Sequence, residues 1–472
     1  MAKKKHIQSD SSFDTIVIGS GPAGSTAAEL LALAGQKVAI VEAEQIGGEC
    51  LNYGCIPTKS MLSSAHLFST IKSQKTISNQ GLLKLKLSRL ISKAESDILR
   101  TGAPSLGAGL SEAGVKILNG RAYFLDSSRV DVAGKSYAAK NFIIASGGDV
   151  RIPKIPGLEG IDPLTYKNFL QRVKLKVPRS ITIIGGGVVG CEYAQILINC
   201  GIKVNIIECR DRLLDNLEPE ASNVILNRFK ELGINIYLSA KILGANNSST
   251  GNFKEVQFTQ ASLDGGLSNP TDLKTEEVMV ATGKSMRDGD GFQNAGINCQ
   301  DGFIQTDAFH RTSQPHIYAI GDATGPLRLT STAILQAKNA AHNIANKNKN
   351  PIQHSDYNFV PASVFTSPEV AYVGVSTQKL LEDKLEFNQS LVQLNTVLRS
   401  SLEDDLHGFV KIWTNPKTGL ILGACLVGHS ATEQISILSL AIKLRIPVYE
   451  IADLTQVFPT WSEAISSAAA EL

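Results

Sequence analysis

Cys50 and Cys55 are separated by four residues in the stretch GGECLNYGCIPTKS, residues 47–60. A close thiol pair admits three chemistries: a zinc clip, a structural disulfide or a redox couple. A structural zinc site takes four ligands, usually as two close pairs, and no second close cysteine pair is present. A disulfide closing so small a loop constrains the unfolded chain little compared with long loops. Cys55 precedes a helix-like run in which Pro57 suits a helix start. A helix N-terminus lowers a thiol pKa and favours the thiolate, which redox exchange requires. The residues themselves therefore favour a redox pair.

Two further motifs could bind the donor for such a pair. GSGPAG spans residues 19–24 and is followed by KVAIVE, which ends on Glu42; GGGVVG spans residues 185–190 and is followed by KVNIIE, which ends on Glu208. In both, the acid lies 18 residues after the third glycine. Gly19 and Gly185 permit the tight turn, and Gly21 and Gly187 let the backbone approach a pyrophosphate. Gly24 and Gly190 let the helix pack on the strand, and the acid accepts from ribose hydroxyls. One such motif is weak; two, each with strand, helix and acid in register, predict two bound dinucleotides. Glu208 would repel a 2′-phosphate, so NAD(H) is favoured over NADP(H), although Arg210 and Arg212 lie just beyond it.

These residues must be held by elements the rest of the sequence announces. The chain has 472 residues, which predicts two to four domains. Four apolar, β-branched runs end in glycine: FDTIVIGSG, NFIIASGG, ITIIGGG and EEVMVATG. Such runs suit central parallel strands, and the first and third open into helical patterns as βαβ units do. Residues 244–252, GANNSSTGN, read as a polar hairpin or loop. From Tyr357 onward the runs alternate and are broken by turns, with helical stretches over 431–446 and 462–470, as in an α+β domain with an antiparallel sheet. The expected fold is α/β, with two Rossmann-like dinucleotide-binding domains and a C-terminal α+β domain.

Composition excludes little. The net charge of +2 points to no particular partner, and residues 1–12 read as a disordered basic tail rather than a nucleic-acid arm. No apolar run reaches about 18 residues, so no membrane span is expected. Seven scattered cysteines form no disulfide framework and suggest a cytoplasmic protein.

In order, GSGPAG, GGECLNYGCIPTK, GGGVVGCEYA, ATG and IYAIGDATG resemble the flavin-dependent pyridine-nucleotide-disulfide oxidoreductases, the family of dihydrolipoamide dehydrogenase, glutathione reductase and mercuric reductase. The resemblance runs from about Phe13 to the C-terminus. It implies an FAD-binding domain over 13–160 and 290–355, an NAD(H)-binding domain over 161–289 and a C-terminal dimerisation domain over 356–472. FAD would be held by Gly19, Gly21, Gly24, Glu42, Gly48, Lys59, Ala122, Ser146, Asp322 and Thr330, with Asp322 on the ribityl chain. NAD would be held by Gly185, Gly187, Gly190, Glu208 and Gly283. Lys59 and Glu192 match the ion pair beside flavin N5. Lys284 stands where an arginine is usual. The resemblance implies hydride transfer from NADH to the flavin, then electrons to the disulfide, with Cys55 facing the flavin and Cys50 the substrate. No bound metal is implied. A homodimer is implied, with Glu463 acting in the partner's site.

One position departs from this pattern. In members handling lipoamide or glutathione, a His-Pro-Thr stretch followed by a glutamate supplies the acid–base group. Here TQVFPTWSEAI keeps Pro459, Thr460 and Glu463, but the histidine position is Phe458. General acid–base assistance is worth roughly 10²–10⁴-fold, and phenylalanine carries no proton to exchange. Gln456 does not titrate, and the spacing of His429 suggests a strand end. Mercuric reductases also lack the histidine but carry a C-terminal cysteine pair, and no cysteine follows Cys425 here. The expected activity is NADH-dependent, FAD-mediated reduction of a non-standard small-molecule or disulfide acceptor. Two rivals stand beside it: an authentic dihydrolipoamide dehydrogenase, and a flavin- and NAD-binding redox sensor.

Overall fold

The computed structural model describes residues 11–74, 76–78, 81, 83–249, 251–261, 266, 268–286, 290–325, 327–352 and 357–472. Residues 1–10 of the expected basic tail lie outside the described residues. The chain divides into two compact units. One comprises Met1–Pro57, Ala94–Val150 and Lys284–Ser355; the other comprises Thr58–Lys93, Arg151–Gly283 and Asp356–Leu472.

In the first unit the apolar run ahead of the first glycine motif forms the strand Ser12–Ile18. It pairs in parallel with Val38–Glu42 on one side and Lys135–Ile144 on the other. Lys116–Asn119 extends the sheet beyond Val38–Glu42, and Ile317–Ala319 pairs in parallel with Lys135–Ile144. An antiparallel meander, Ala122–Asp126 and Arg129–Val132, continues from Lys135–Ile144. Ile16, Val17, Ile40, Phe142 and Ile143 are completely buried, as strands covered on both faces must be. The helices Pro22–Leu33 and Thr330–Ala345 cover one face through Ala27, Ala28, Leu31, Ala337 and Ala340. Small alanines permit this close packing.

The second unit repeats the parallel motif with Asn235–Tyr237, Lys203–Ile207, Ser180–Ile184 and Glu277–Val280, all parallel in that spatial order. The stretch expected as a polar hairpin or loop begins within the strand Ala240–Asn247, which pairs antiparallel with Lys254–Gln260; residue 250 lies outside the described residues. The unit also holds a five-stranded antiparallel sheet, in the order Ala362–Val364, Glu369–Gly374, Ile421–Gly428, Phe409–Thr414 and Asn388–Gln393. Ile412, Leu426 and Ala424 on that sheet pack against Ile435 and Leu438 of the helix Ala431–Leu444 and Ile465 and Ala468 of the helix Glu463–Ala470. The fold is thus α/β with two Rossmann-like sheets and an antiparallel α+β part.

A buried ion pair joins two parts of the second unit. Lys411, on the strand Phe409–Thr414, donates to Glu218 Oε2 at 2.9 Å and to Glu220 Oε1 at 2.8 Å. The side chains of Lys411 and Glu218 are only 5% and 4% exposed. Glu218 also accepts from the backbone N–H and hydroxyl of Thr377, so its charge is fully engaged. Removing only the cation strands a buried carboxylate. Lys411→Met should lower unfolding stability by about 3–5 kcal/mol, read from urea midpoints, whereas removing one partner of an exposed pair such as Lys379–Asp383 should leave the midpoint nearly unchanged.

Candidate active site

The two glycine turns are built alike, one in each unit. Gly19 has φ +100° and Gly185 φ +111°, a region that side chains with a Cβ rarely adopt. A Cβ on Gly24 would lie 1.9 Å from the Gly19 carbonyl oxygen, and one on Gly190 would lie 2.0 Å from that of Gly185. At Gly21 and Gly187 an added Cβ would meet nothing within 4 Å, so each is open on its side-chain side. The helices Pro22–Leu33 and Val188–Asn199 start there, and no side chain among the described residues caps either. Their first N–H groups are available to an anion.

Both acids turn toward their own glycine loop. Glu42 Oε2 accepts from the Ser20 backbone N–H at 3.0 Å and the Ser20 hydroxyl at 2.5 Å. Glu208 Oε2 accepts from the Gly186 N–H at 2.5 Å, and its Oε1 accepts from the Arg210 N–H at 2.8 Å. These bonds fix each carboxylate at the strand end. Arg210 Nε lies 3.4 Å from an Asp215 carboxylate oxygen, and Arg212 Nη2 donates to the Asp215 backbone carbonyl at 2.6 Å, while Arg212 Nε has no partner among the described residues.

The first unit also carries the cysteine loop. Cys50 lies in the short helix Gly48–Asn52, and Cys55 is the first residue of the long helix Cys55–Ser73. Pro57 is its third residue, where a missing N–H costs no intrahelical bond. Both cysteines are half-buried. Thr330 Oγ1 lies 3.5 Å from Cys50 Sγ and 3.8 Å from Cys55 Sγ. A Cβ on Gly48 would lie 2.8 Å from Gly21 Cα, so the cysteine loop touches the phosphate-type turn. The other five cysteines lie elsewhere in the chain. Burial raises the thiol pKa of Cys191, Cys209, Cys299 and Cys425, and pushes that of Cys200 up to about 12. A raised pKa disfavours the nucleophilic thiolate.

The first unit suits a flavin dinucleotide. Ser146 Oγ, beside the turn that Gly19 abuts, is buried without a hydrogen-bond partner among the described residues, as is Thr332 Oγ1. Buried hydroxyls left unpaired are uncommon, and a bound polar ligand would satisfy them. Gly321 opens the turn Gly321–Thr324, its N–H donating to Gln336 Oε1 at 2.6 Å. Asp322 in that turn is ion-paired with Lys284 Nζ at 2.8 Å. Ala122 is 4% exposed and packs with Phe124 and Val130 in the core, so it offers a ligand no polar side chain.

In the second unit Lys59 Nζ donates to both oxygens of Glu192, at 2.9 and 2.8 Å. Glu192 is 3% exposed. Its Oε1 also accepts the Phe365 N–H at 3.1 Å, and Lys59 Nζ sits 4.7 Å from the Phe365 ring centroid. A buried carboxylate is stable when paired and hydrogen-bonded in this way. Phe365 and His66 complete the cluster: His66 Nε2–H donates to the Phe365 carbonyl at 3.0 Å. Neither was expected from sequence. Phe365 acts largely through its backbone, and a backbone group leaves no residue-type signal. Gly283, with φ +93°, accepts the Arg151 N–H at its carbonyl.

Phe458 is 70% exposed. Glu463 Oε1 accepts the Thr460 N–H at 2.9 Å, and the Gln456 amide is hydrogen-bonded to the Ser466 hydroxyl. His429 follows the strand Ile421–Gly428, and its ring stacks on Trp461 with centroids 5.6 Å apart.

The fold and these groups define a class: a protein with two dinucleotide turns, a cysteine pair beside the first and a lysine–glutamate pair in the second unit. The profile described as pyridine nucleotide-disulphide oxidoreductase matches residues 13–341, and that of the family's dimerisation domain matches residues 360–469. The dihydrolipoyl dehydrogenase of Chlorobaculum tepidum is 33% identical over 97% of this chain and 96% of its own length. A mercuric reductase of Bacillus cereus is 29% identical over 97% of this chain and 71% of its own. Among solved structures, the Cu(II) complex of the HOCl-induced flavoprotein disulfide reductase RclA from Escherichia coli superposes with a TM-score of 0.86 at 23% identity, covering 98% of this chain and 99% of that one. The chain belongs to the pyridine nucleotide-disulphide oxidoreductase family, oxidoreductases that bind FAD and NAD(P)H and act on sulfur groups.

Two outcomes test this geometry. Gly24→Ala should yield protein depleted of FAD, measured as flavin absorbance per chain. Gly190→Ala should retain flavin but lose NADH binding, measured by NADH fluorescence titration. His66 gives a pH signature. Burial lowers its pKa more than Glu369, the Phe365 carbonyl and Glu192 raise it, and His429 lowers it further. A lowered histidine pKa means that the unfolded chain takes up the proton first as pH falls, so the native state loses stability below about pH 6.5. His66→Asn should flatten the fall in Tm between about pH 7 and pH 5.

Proposed function

We propose that this protein is an NADH-dependent, FAD-containing disulfide oxidoreductase whose Cys50–Cys55 pair delivers electrons to an acceptor that needs no histidine at position 458. FAD, when bound, supplies the two-electron chemistry between NADH and the cysteine pair. Gly19, Gly21, Gly24, Glu42, Gly48, Ser146, Asp322 and Thr330 would hold it, and Lys59, paired with Glu192, would place a positive charge beside its reacting ring. Gly185, Gly187, Gly190, Glu208 and Gly283 would hold the nicotinamide dinucleotide. The Glu208 carboxylate at the strand end, with Arg210 and Arg212 engaged by Asp215, favours NAD(H) over NADP(H).

The protein's own residues then act in order. The long-helix N-terminus stabilises a Cys55 thiolate, and Thr330 can donate a hydrogen bond to either sulfur. Cys50 is the exchanging thiol that meets the acceptor. Thiol exchange with an ordinary disulfide must also move a proton. The observation that carries the proposal is Phe458, an exposed apolar ring where the acid–base group belongs. Acceptors that take electrons without protonation of a leaving thiol fit such a site: quinones, small oxidants, metal ions or a disulfide with an acidic thiol. The protein would work as a homodimer in the cytoplasm, Glu463 serving the partner's site. The 33% identity to a dihydrolipoyl dehydrogenase supports a second reading, dihydrolipoamide oxidation with rerouted proton transfer.

An acceptor panel separates the two. With NADH as donor, wild type should turn over quinone or Cu(II) faster than lipoamide or glutathione disulfide, and NADPH should be the poorer donor. Phe458→His should raise lipoamide turnover by about 10²-fold or more. Wild-type lipoamide turnover that the histidine does not improve would establish the second reading. Anaerobic reductant titration should require two equivalents per flavin; saturation at one would remove the dithiol from the pathway.

A further inference from the structure

Lys284 is the centre of a charge cluster in the first unit that the family pattern does not explain. Its Nζ lies 2.5 Å from Glu49 Oε1 and 2.8 Å from Asp322 Oδ2. The three side chains are only 20–25% exposed. Its backbone is fixed: Lys284–Met286 pairs antiparallel with Gly148–Val150, and the Lys284 carbonyl accepts from Arg328 Nη1 at 3.2 Å. Burial pulls the Lys284 pKa down, but Asp322 and Glu49 outweigh it and hold the ammonium charged.

Glu49 is the hub of the cysteine loop. It sits next to Cys50, and its backbone carbonyl accepts the N–H groups of both Tyr53 (2.9 Å) and Gly54 (2.7 Å). Those two bonds close the turn between Cys50 and Cys55. One residue thus shapes the turn with its backbone and anchors it with its carboxylate. At the far end of the cluster, Asp322 belongs to the turn Gly321–Thr324.

We propose that Lys284 is a positioning residue that locks the cysteine loop to the Asp322 turn, using Glu49 as the handle. Charge-assisted hydrogen bonds in a partly desolvated site are short and directional. Without the ammonium, the Glu49 and Asp322 carboxylates lose the cation they share and the link it makes between them. The loop must bring two sulfurs into bonding distance on oxidation and release them on reduction, so its freedom sets how well the pair works. The proposal rests on the reading of Cys50–Cys55 as the redox pair and of Asp322 as a flavin contact, but the clamp is measurable apart from either.

The test uses the flavin-loaded enzyme as wild type, Lys284→Met, Lys284→Arg, Glu49→Gln and the Lys284→Met/Glu49→Gln double variant. Hydrogen–deuterium exchange of residues 48–54 is read beside NADH-driven reduction of 5,5′-dithiobis(2-nitrobenzoate). In Lys284→Met, exchange in that segment should rise about tenfold and kcat should fall about tenfold, with KM for NADH unchanged. Lys284→Arg should restore both, since it keeps the charge. The double variant should be no worse than Lys284→Met alone, because the same interaction is lost twice. FAD affinity, titrated on the stripped protein, should weaken in Lys284→Met and recover in Lys284→Arg. Unchanged exchange over 48–54 in Lys284→Met, or additive effects in the double variant, would overturn the clamp. Failure of the redox reading shows differently: saturation at one reductant equivalent in wild type, whatever the exchange data say.

Discussion

At Gly24 and Gly190 a helix meets the preceding turn so closely that a single methyl group would sit about 2 Å from a carbonyl oxygen. That contact sets the rest of the molecule. It lets each helix begin directly behind the strand, leaves the first helical N–H groups facing outward, and brings the strand-end acid back onto the loop. In the first unit the same turn supports the cysteine loop, because Gly48 packs on Gly21. The cysteine loop is therefore located by backbone contact with the first glycine turn, and both turns follow from one steric rule applied twice.

Charge is placed around this backbone frame with few loose ends. Lys59 spends its ammonium on both oxygens of Glu192, Lys284 bridges Glu49 and Asp322, and Lys411 neutralises Glu218. Each pair is partly or fully removed from water, where an unmatched partner is costly. Two of the three stand among groups assigned to flavin or cysteine chemistry. The third is structural and joins the antiparallel sheet to the stretch ahead of the helix Pro219–Glu231. Similar pairs thus serve different ends, and only their surroundings tell them apart.

The C-terminal loop holds its polar groups without an imidazole at position 458. With phenylalanine at 458, the Glu463 carboxylate has no imidazole to orient in this loop and accepts from the Thr460 backbone. His429 lies against Trp461, held by ring stacking just past a strand end. An apolar ring replaces the acid–base side chain while Pro459, Thr460 and Glu463 keep their places in the sequence. The family scaffold is retained around that position.

The sequence by itself determined the two glycine turns, the strands before them, the acids after them and the cysteine pair. These are local patterns: a turn needs its glycines at fixed spacing, and a buried strand needs an unbroken apolar run. It also exposed Phe458 and Lys284 as departures, because each interrupts an otherwise regular motif. The motif resemblance anticipated the Lys59–Glu192 pair, but the partners of Lys284 and Lys411 were decided only by the tertiary structure. Nothing near Lys284 in sequence points to Glu49, 235 residues earlier, or to the Asp322 turn. Nothing near Glu192 announces the Phe365 backbone N–H. Such contacts depend on where separate strands bring their ends, and a backbone donor is the same whatever residue carries it. Local chemistry is written in residue types, but the partners of a buried charge are chosen by the fold.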